Sequence, residues 1–169
     1  MRKVLLNVAM SLDGLIEGPG GEFDWCFTDD DYGMTPFLER VDAIFYGRKS
    51  YEVLMREGKG QNPFKDKRSY VFSKTLGRSD NYTLISDRLV ESVQEIKQKE
   101  GADIWLFGGT NLTKQLVENK LVDELFLAVH PLILGSGKPM FDLAGRVSLK
   151  LLDTKPYKSG LVSMHYQIV

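Results

Sequence analysis

Residues Asp103–Glu124 read DIWLFGGTNLTKQLVENKLVDE, and the reading of this stretch decides the fold. Ile104-Trp105-Leu106-Phe107 is a continuous apolar run bounded by Asp103 and by Gly108-Gly109. A strand covered on both faces shows such a run, whereas a strand with one wet face alternates. The glycine pair lets the chain turn with no Cβ in the way. Thr110 or Asn111 then offers a side-chain oxygen to cap a helix, whose Leu112, Leu116 and Val117 recur at helical spacing and face the sheet. The unit is strand, glycine turn, helix N-terminus, and two readings of its turn stay open. In one, glycine only satisfies the sterics of a tight turn. In the other, the free backbone N–H groups and the helix dipole hold an anion such as a pyrophosphate.

The same unit recurs upstream. Asp42–Tyr46 (DAIFY) reads as a short buried strand ending at Gly47-Arg48-Lys49-Ser50, with helix signals resuming at Tyr51, Leu54 and Met55. Two cations in the first turn of a helix oppose its dipole. Either an anion from outside completes the site, or the long side chains turn away into water. Ser69–Ser73 (SYVFS) predicts a further strand that ends in Ser73-Lys74-Thr75, and Tyr82–Ser86 predicts another. Ser86 or Asp87 then caps a helix running to Lys99, with Leu89, Val93 and Ile96 on one face and Gly101 as its stop.

At the start of the chain, Lys3–Met10 predicts a first strand, Ser11–Gly14 its turn and Leu15-Ile16 a short extended piece. Gly18-Pro19-Gly20-Gly21 opens a long loop carrying Phe23 and Trp25. Those rings are costly to leave in water, so they are expected to pack on the protein or over a ligand. Thr28-Asp29-Asp30-Asp31 precedes a weak helix over Tyr32–Arg40, and the acidic cluster suits that helix's N-terminus. Read as a metal site, the cluster lacks the spaced ligands of a calcium loop. Downstream, Val122–His130 is a longer strand ended by Pro131, Leu132–Pro139 a glycine-bearing loop and Phe141–Gly145 irregular. Ser148–Tyr157 and Leu161–Val169 alternate apolar and polar residues around Lys158-Ser159-Gly160, as an antiparallel hairpin does. Strands alternating with helices, then a hairpin, predict one three-layer α/β domain over residues 1–169, with a mostly parallel central sheet.

Composition narrows the class. The 169 residues, 43% of them hydrophobic, suit one packed domain, and a net charge of -1 offers no basic surface to nucleic acid. The one cysteine, Cys26, excludes an internal disulfide and suits a reducing compartment. Met1-Arg2-Lys3 followed by Val4-Leu5-Leu6 has the order of a secretory leader, but Asn7, Asp13 and Glu17 interrupt it. No apolar run reaches the roughly 20 residues of a membrane helix. The expectation is a cytoplasmic protein whose partner is a small molecule, with neither nucleic acid nor membrane involved.

Taken in order and spacing, VAMSLDGLIEG, YGRKSYE, VFSKTL, LFGGTNL and LVDELFLAVHPLILGSGKPMF resemble the dihydrofolate reductase-like family. Within it the branch is the one related to the C-terminal reductase domain of the riboflavin biosynthesis protein RibD. The resemblance implies a dihydrofolate reductase-like three-layer fold and NADPH as cofactor. It implies that Arg48, Ser73 and Lys74 surround the adenosine 2′-phosphate. Ser50 and the helix start after Gly47, with Gly108, Gly109, Thr110, Asn111 and Leu112, are implied to hold the pyrophosphate. Ala9 and Ile16 are implied to line the nicotinamide.

The implied activity resembles that of a 5-amino-6-(5-phosphoribosylamino)uracil reductase of riboflavin biosynthesis, and relatives imply a homodimer. Counting from Trp25, which resembles the loop tryptophan of dihydrofolate reductases, Asp30 falls where their folate-binding carboxylate lies and is the candidate for proton relay. Two features depart from a folate enzyme. Leu127-Ala128-Val129 puts Ala128, with no hydroxyl, where a threonine is usual, and Gly18–Trp25 does not follow the usual loop pattern. A phosphoribosyl substrate needs cations, for which Lys138, Arg56 and Arg40 are candidates. His130 and His165 read as strand residues. With Cys26 they do not make the zinc cluster of a fused deaminase. A dihydrofolate reductase proper and a non-catalytic NADPH-binding module are the alternative readings.

Overall fold

The computed structural model describes residues 1–169. The chain runs β1 (Val4–Ser11), β2 (Leu15–Glu17), α1 (Met34–Arg40), β3 (Val41–Gly47), α2 (Arg48–Glu57), β4 (Arg68–Phe72), β5 (Thr83–Ile85), α3 (Leu89–Gln98) and β6 (Asp103–Gly108). It continues through α4 (Thr110–Glu118), β7 (Glu124–His130), β8 (Lys138–Pro139), β9 (Leu149–Pro156) and β10 (Val162–Ile168). All but β2 and β8 join one sheet in the order β5-β4-β3-β6-β1-β7-β10-β9. From β5 to β7 every neighbouring pair is parallel; β10 then runs antiparallel to β7, and β9 antiparallel to β10.

Side chains of period two sort the core into two layers. On one face Val4 and Leu6, Phe45, Ile104 and Leu106 pack with Val93 and Ile96 of α3 and Leu112, Leu116 and Val117 of α4. On the other, Leu5, Ile44, Tyr46, Val71 and Trp105 pack with Phe37 of α1 and Tyr51 of α2. Both faces of the central strands are dry, which accounts for the unbroken run Ile104–Phe107. The expected three-layer architecture is present, with a mostly parallel central sheet, helices on both faces and an antiparallel hairpin at the C-terminal edge.

Local details differ from the sequence reading in physically informative ways. Helix α2 starts at Arg48 behind Gly47, with the two cations in its first turn as expected, whereas α4 has Gly109 at its N-cap rather than Thr110 or Asn111. Helix α3 begins behind Arg88, which holds a left-handed backbone (φ 45), so neither Ser86 nor Asp87 caps it. Helix α1 begins two residues late because Gly33 is left-handed (φ 84). Asp31 alone of the acidic cluster serves this helix: its Oδ1 accepts from the Thr35 amide at 3.0 Å and the Thr35 hydroxyl at 2.6 Å. Phe23 is 43% exposed, against the expectation that it packs. The pairing of β2 with β8 was not foreseen, because strands of three and two residues leave no periodicity to read.

Candidate functional site

In an open α/β sheet the carboxyl ends of the strands are where loops separate and ligands collect. Here a cleft of about 800 Å³ opens beside the ends of β3, β4, β5 and β6. Gly47–Ser50 form one wall, Phe72–Thr75 and Ile85–Leu89 a second, and Gly109–Leu112 with Gln115 a third, with Lys138 joining from β8. Of the residues expected from sequence at a cofactor, Gly47, Arg48, Ser50, Ser73, Lys74, Gly109, Thr110, Asn111 and Leu112 line this cleft. Gly108 forms the end of β6 behind it. Ala9 and Ile16 lie further along the sheet, Ala9 on β1 opposite Ala128 of β7, and Ile16 on β2 against the core.

Three helices, α2, α3 and α4, start at this cleft, and none has a side-chain cap. The first N–H groups of a helix have no partner within it, and their dipoles add to a partial positive charge. Arg48, Lys49, Lys74, Arg88 and Lys138 add full charges, opposed within the lining only by Asp87. Lys49 and Lys74 are exposed and form no ion pair; Arg48 pairs with Glu52 at 2.9 Å, Arg88 with Glu95 at 3.8 Å and Lys138 with Glu17 at 2.9 Å. Such exposed pairs are weak and yield readily to a multiply charged anion. The Ser73 oxygen accepts from the Thr75 amide at 3.1 Å and the Leu76 amide at 2.9 Å, which fixes the turn and leaves its O–H to donate.

The glycines sit where the turns approach closely. A Cβ on Gly47 would stand 3.3 Å from the Gly109 nitrogen, and one on Gly109 would stand 3.1 Å from the Ser50 Oγ. Gly108 holds φ 119, where only glycine is unstrained. So the turn requires glycine at position 108 on steric grounds, and the helix behind it starts with no side-chain cap on its amides. The cradle of amides, hydroxyls and cations is positively charged overall.

Other candidates stand apart. Asp30 is exposed on the loop before α1, its Oδ1 accepting from the Asp31 amide at 2.7 Å, and it does not line the cleft. Arg40 is committed elsewhere: its guanidinium bonds Asp103 at 2.8 Å and Glu124 at 2.9 Å, at the amino ends of β6 and β7. Arg56 pairs with its neighbour Glu57 in solvent. Neither arginine is placed for a phosphate at the cleft, and only Lys138 of those three reaches it. His165 bonds Glu124 at 2.8 Å; burial alone would raise the Glu124 pKa, but Lys3, His165 and Arg40 outweigh it and the net shift is downward.

The loop that carries Trp25 is tied down by His130. The His130 Nε2 accepts from the Phe27 amide at 3.1 Å, and Nδ1 lies 3.0 Å from the Ala128 carbonyl. The neutral ring with its proton on Nδ1 satisfies both contacts. Trp25 meets the same ring edge-on at 5.2 Å. Cys26, half-buried, has its thiol pushed up to about 11 by burial and by the charge of Asp24, so it stays protonated and unreactive.

Sequence reasoning missed Phe72, Ile85–Leu89 and Gln115 as lining residues; Lys49 and Thr75 stood in the anion-friendly clusters it singled out, and Lys138 was a candidate for a substrate phosphate rather than for this cleft. The signal for Ile85–Leu89 was present, since a parallel strand ending before a helix brings its carboxyl end to the same edge as its neighbours. Gln115 is one helical turn beyond Asn111, to which its Nε2 donates at 2.9 Å. Lys138 depended on the unforeseen β2–β8 pairing.

Comparison with known proteins adds ancestry to this geometry. The family model described as the RibD C-terminal domain matches residues 2–163. The uncharacterized protein YyaP of Bacillus subtilis (strain 168) is 41% identical over 177 residues, which cover 98% of this chain and 94% of that protein. The crystal structure of a putative riboflavin biosynthesis protein from Shewanella sp. PV-4 superposes with a TM-score of 0.87 at 22% identity, covering 99% of each chain. Dihydrofolate reductase from Enterococcus faecalis, solved with NADP(H), superposes with a TM-score of 0.73 at 15% identity, covering 98% of this chain and 96% of that one. At such identities the two structures speak for the fold alone.

Proposed function

The chain belongs to the RibD C-terminal domain family, and from that premise we propose that it is an NADPH-dependent reductase. Its proposed reaction resembles the reduction of 5-amino-6-(5-phosphoribosylamino)uracil in riboflavin biosynthesis. The single observation that carries the reading is the convergence of three uncapped helix starts and five cations on one cleft. That electrostatic pattern suits a dinucleotide with a pyrophosphate and a third phosphate. When bound, such a cofactor supplies a hydride. The protein holds, orients and excludes water.

Each group then has a defined task. Arg48, Lys74 and the free Ser73 O–H supply charge-assisted hydrogen bonds to a 2′-phosphate, which a plain ribose cannot return. The amides of Gly109–Leu112 and the hydroxyl of Ser50 face a pyrophosphate. Ala9, paired with Ala128 across β1 and β7, and Ile16 bound the nicotinamide end. Ala128 also offers no hydroxyl to a folate-type substrate, which favours the pyrimidine reading over dihydrofolate reduction. Asp30, the residue that matches the folate-binding carboxylate, is the proposed carboxyl for the proton step, a role that requires the loop before α1 to bring it within reach of the acceptor.

The test is substrate-dependent loss of NADPH absorbance with the phosphoribosylamino-pyrimidine, for the wild type and Asp30→Asn. Turnover by the wild type, slowed in the variant with NADPH affinity unchanged, is the expected result. NADPH that binds but is never oxidised would leave a binding module in place of a reductase. Equal rates for the two proteins would remove Asp30 from the chemistry.

A further inference from the structure

We propose that Lys138 is the cation that neutralises the cofactor's pyrophosphate, and that Glu17 holds it in reserve until a dinucleotide binds; this rests on the NADPH reading above. Four of the five cations lining the cleft, Arg48, Lys49, Lys74 and Arg88, come from the walls after β3, β4 and β5. The wall after β6 supplies only amides and the side chains of Thr110, Asn111 and Gln115. The next basic residue of α4, Lys114, reaches out to Asp142 at 3.3 Å. Lys138 is thus the one cation that approaches from the other side of the cleft.

Its backbone is anchored while its side chain is not. The β2–β8 ribbon pairs Glu17 with Lys138 and Leu15 with Pro139. Next to it, Asp13 accepts from the Leu134 amide at 3.1 Å and the Gly135 amide at 2.9 Å, and the Met140 amide donates to the Gly14 carbonyl at 2.9 Å. The ammonium makes one contact, with the Glu17 carboxylate, and the two side chains remain 43% and 30% exposed. An ion pair this wet is weak, and a dianionic diphosphate offers the ammonium more charge than one carboxylate does. Lysine suits the exchange because its charge sits at the end of a flexible stem.

Affinities for NADPH and NADH, measured by calorimetry, separate this role from that of the 2′-phosphate readers, because both dinucleotides share the pyrophosphate. Lys138→Met is expected to weaken both by the same factor, roughly tenfold, leaving the preference between them unchanged. Glu17→Gln, which frees the ammonium, is expected to tighten both by about threefold. That gain should vanish in the double variant, and Lys138→Arg should stay within about threefold of the wild type. Thermal melts of each variant report that the ribbon is intact. No gain in Glu17→Gln, a Lys138→Met loss confined to NADPH, or a Lys138→Arg as weak as Lys138→Met would each overturn the proposal. A wild type that binds neither dinucleotide overturns the NADPH reading itself.

Discussion

At the residue scale, Asp13 shows how a small polar group ties two loops together. Its carboxylate takes hydrogen bonds from Ser11 and from the Gly135 and Leu134 amides, which lower its pKa from 3.8 to about 2. The folded form therefore holds its proton more weakly than the unfolded chain does, so the clamp stabilises the protein above about pH 4 and loses that contribution as pH falls toward about 2. Thermal midpoints measured from about pH 5 down to about pH 2 should fall less steeply for Asp13→Asn than for the wild type. Parallel curves would mean that Asp13 does not couple the two loops. Gly47 and Gly109 make the complementary point: a Cβ would stand 3.3 Å from the Gly109 nitrogen in the first case and 3.1 Å from the Ser50 Oγ in the second, so the two turns meet at close quarters.

At the scale of elements, the strands and their faces were legible because burial writes itself into sequence. The run at Ile104–Phe107, the alternation of Leu161–Val169 and the helical spacing of Leu89, Val93 and Ile96 each map onto the observed element. Helix starts were not legible in the same way. Hydroxyl and carboxylate residues near the ends of α3 and α4 looked like caps, yet the N-caps are Arg88 and Gly109. A cap is selected for stability, whereas an uncapped start keeps its amides available to a ligand. The misreading and the proposed function thus have one physical origin. The ribbon of β2 and β8 was beyond the sequence for another reason: its register depends on contacts between segments more than a hundred residues apart, and so did the recruitment of Lys138.

At the scale of the molecule, the hairpin edge is unfinished. Every residue of β9 is exposed, including Leu149 at 41%, Leu151 at 50% and Leu152 at 43%, and its outer edge has no partner strand. An open edge with apolar side chains invites pairing, and we propose that it closes a homodimer. Sedimentation should find a dimer for the wild type and a shift to monomer for Leu149→Lys with Leu151→Lys; a wild-type monomer would remove the dimer from the account. The amino ends of the strands carry charges that hold the sheet together, with Arg40 and Lys3 converging on Glu124, while the cations at the carboxyl ends are unpaired or held only in exposed surface pairs. That polarity underlies the proposal that the cleft's cations serve a phosphorylated dinucleotide. It is tested most directly by paired titrations of the wild type and Arg48→Ala with NADPH and NADH. The wild type should prefer NADPH, and the substitution should cost NADPH about 1.5 kcal/mol, the low end for a charged hydrogen bond given the competing Glu52, with little change for NADH. Equal affinity for the two dinucleotides, or equal losses on substitution, would contradict it.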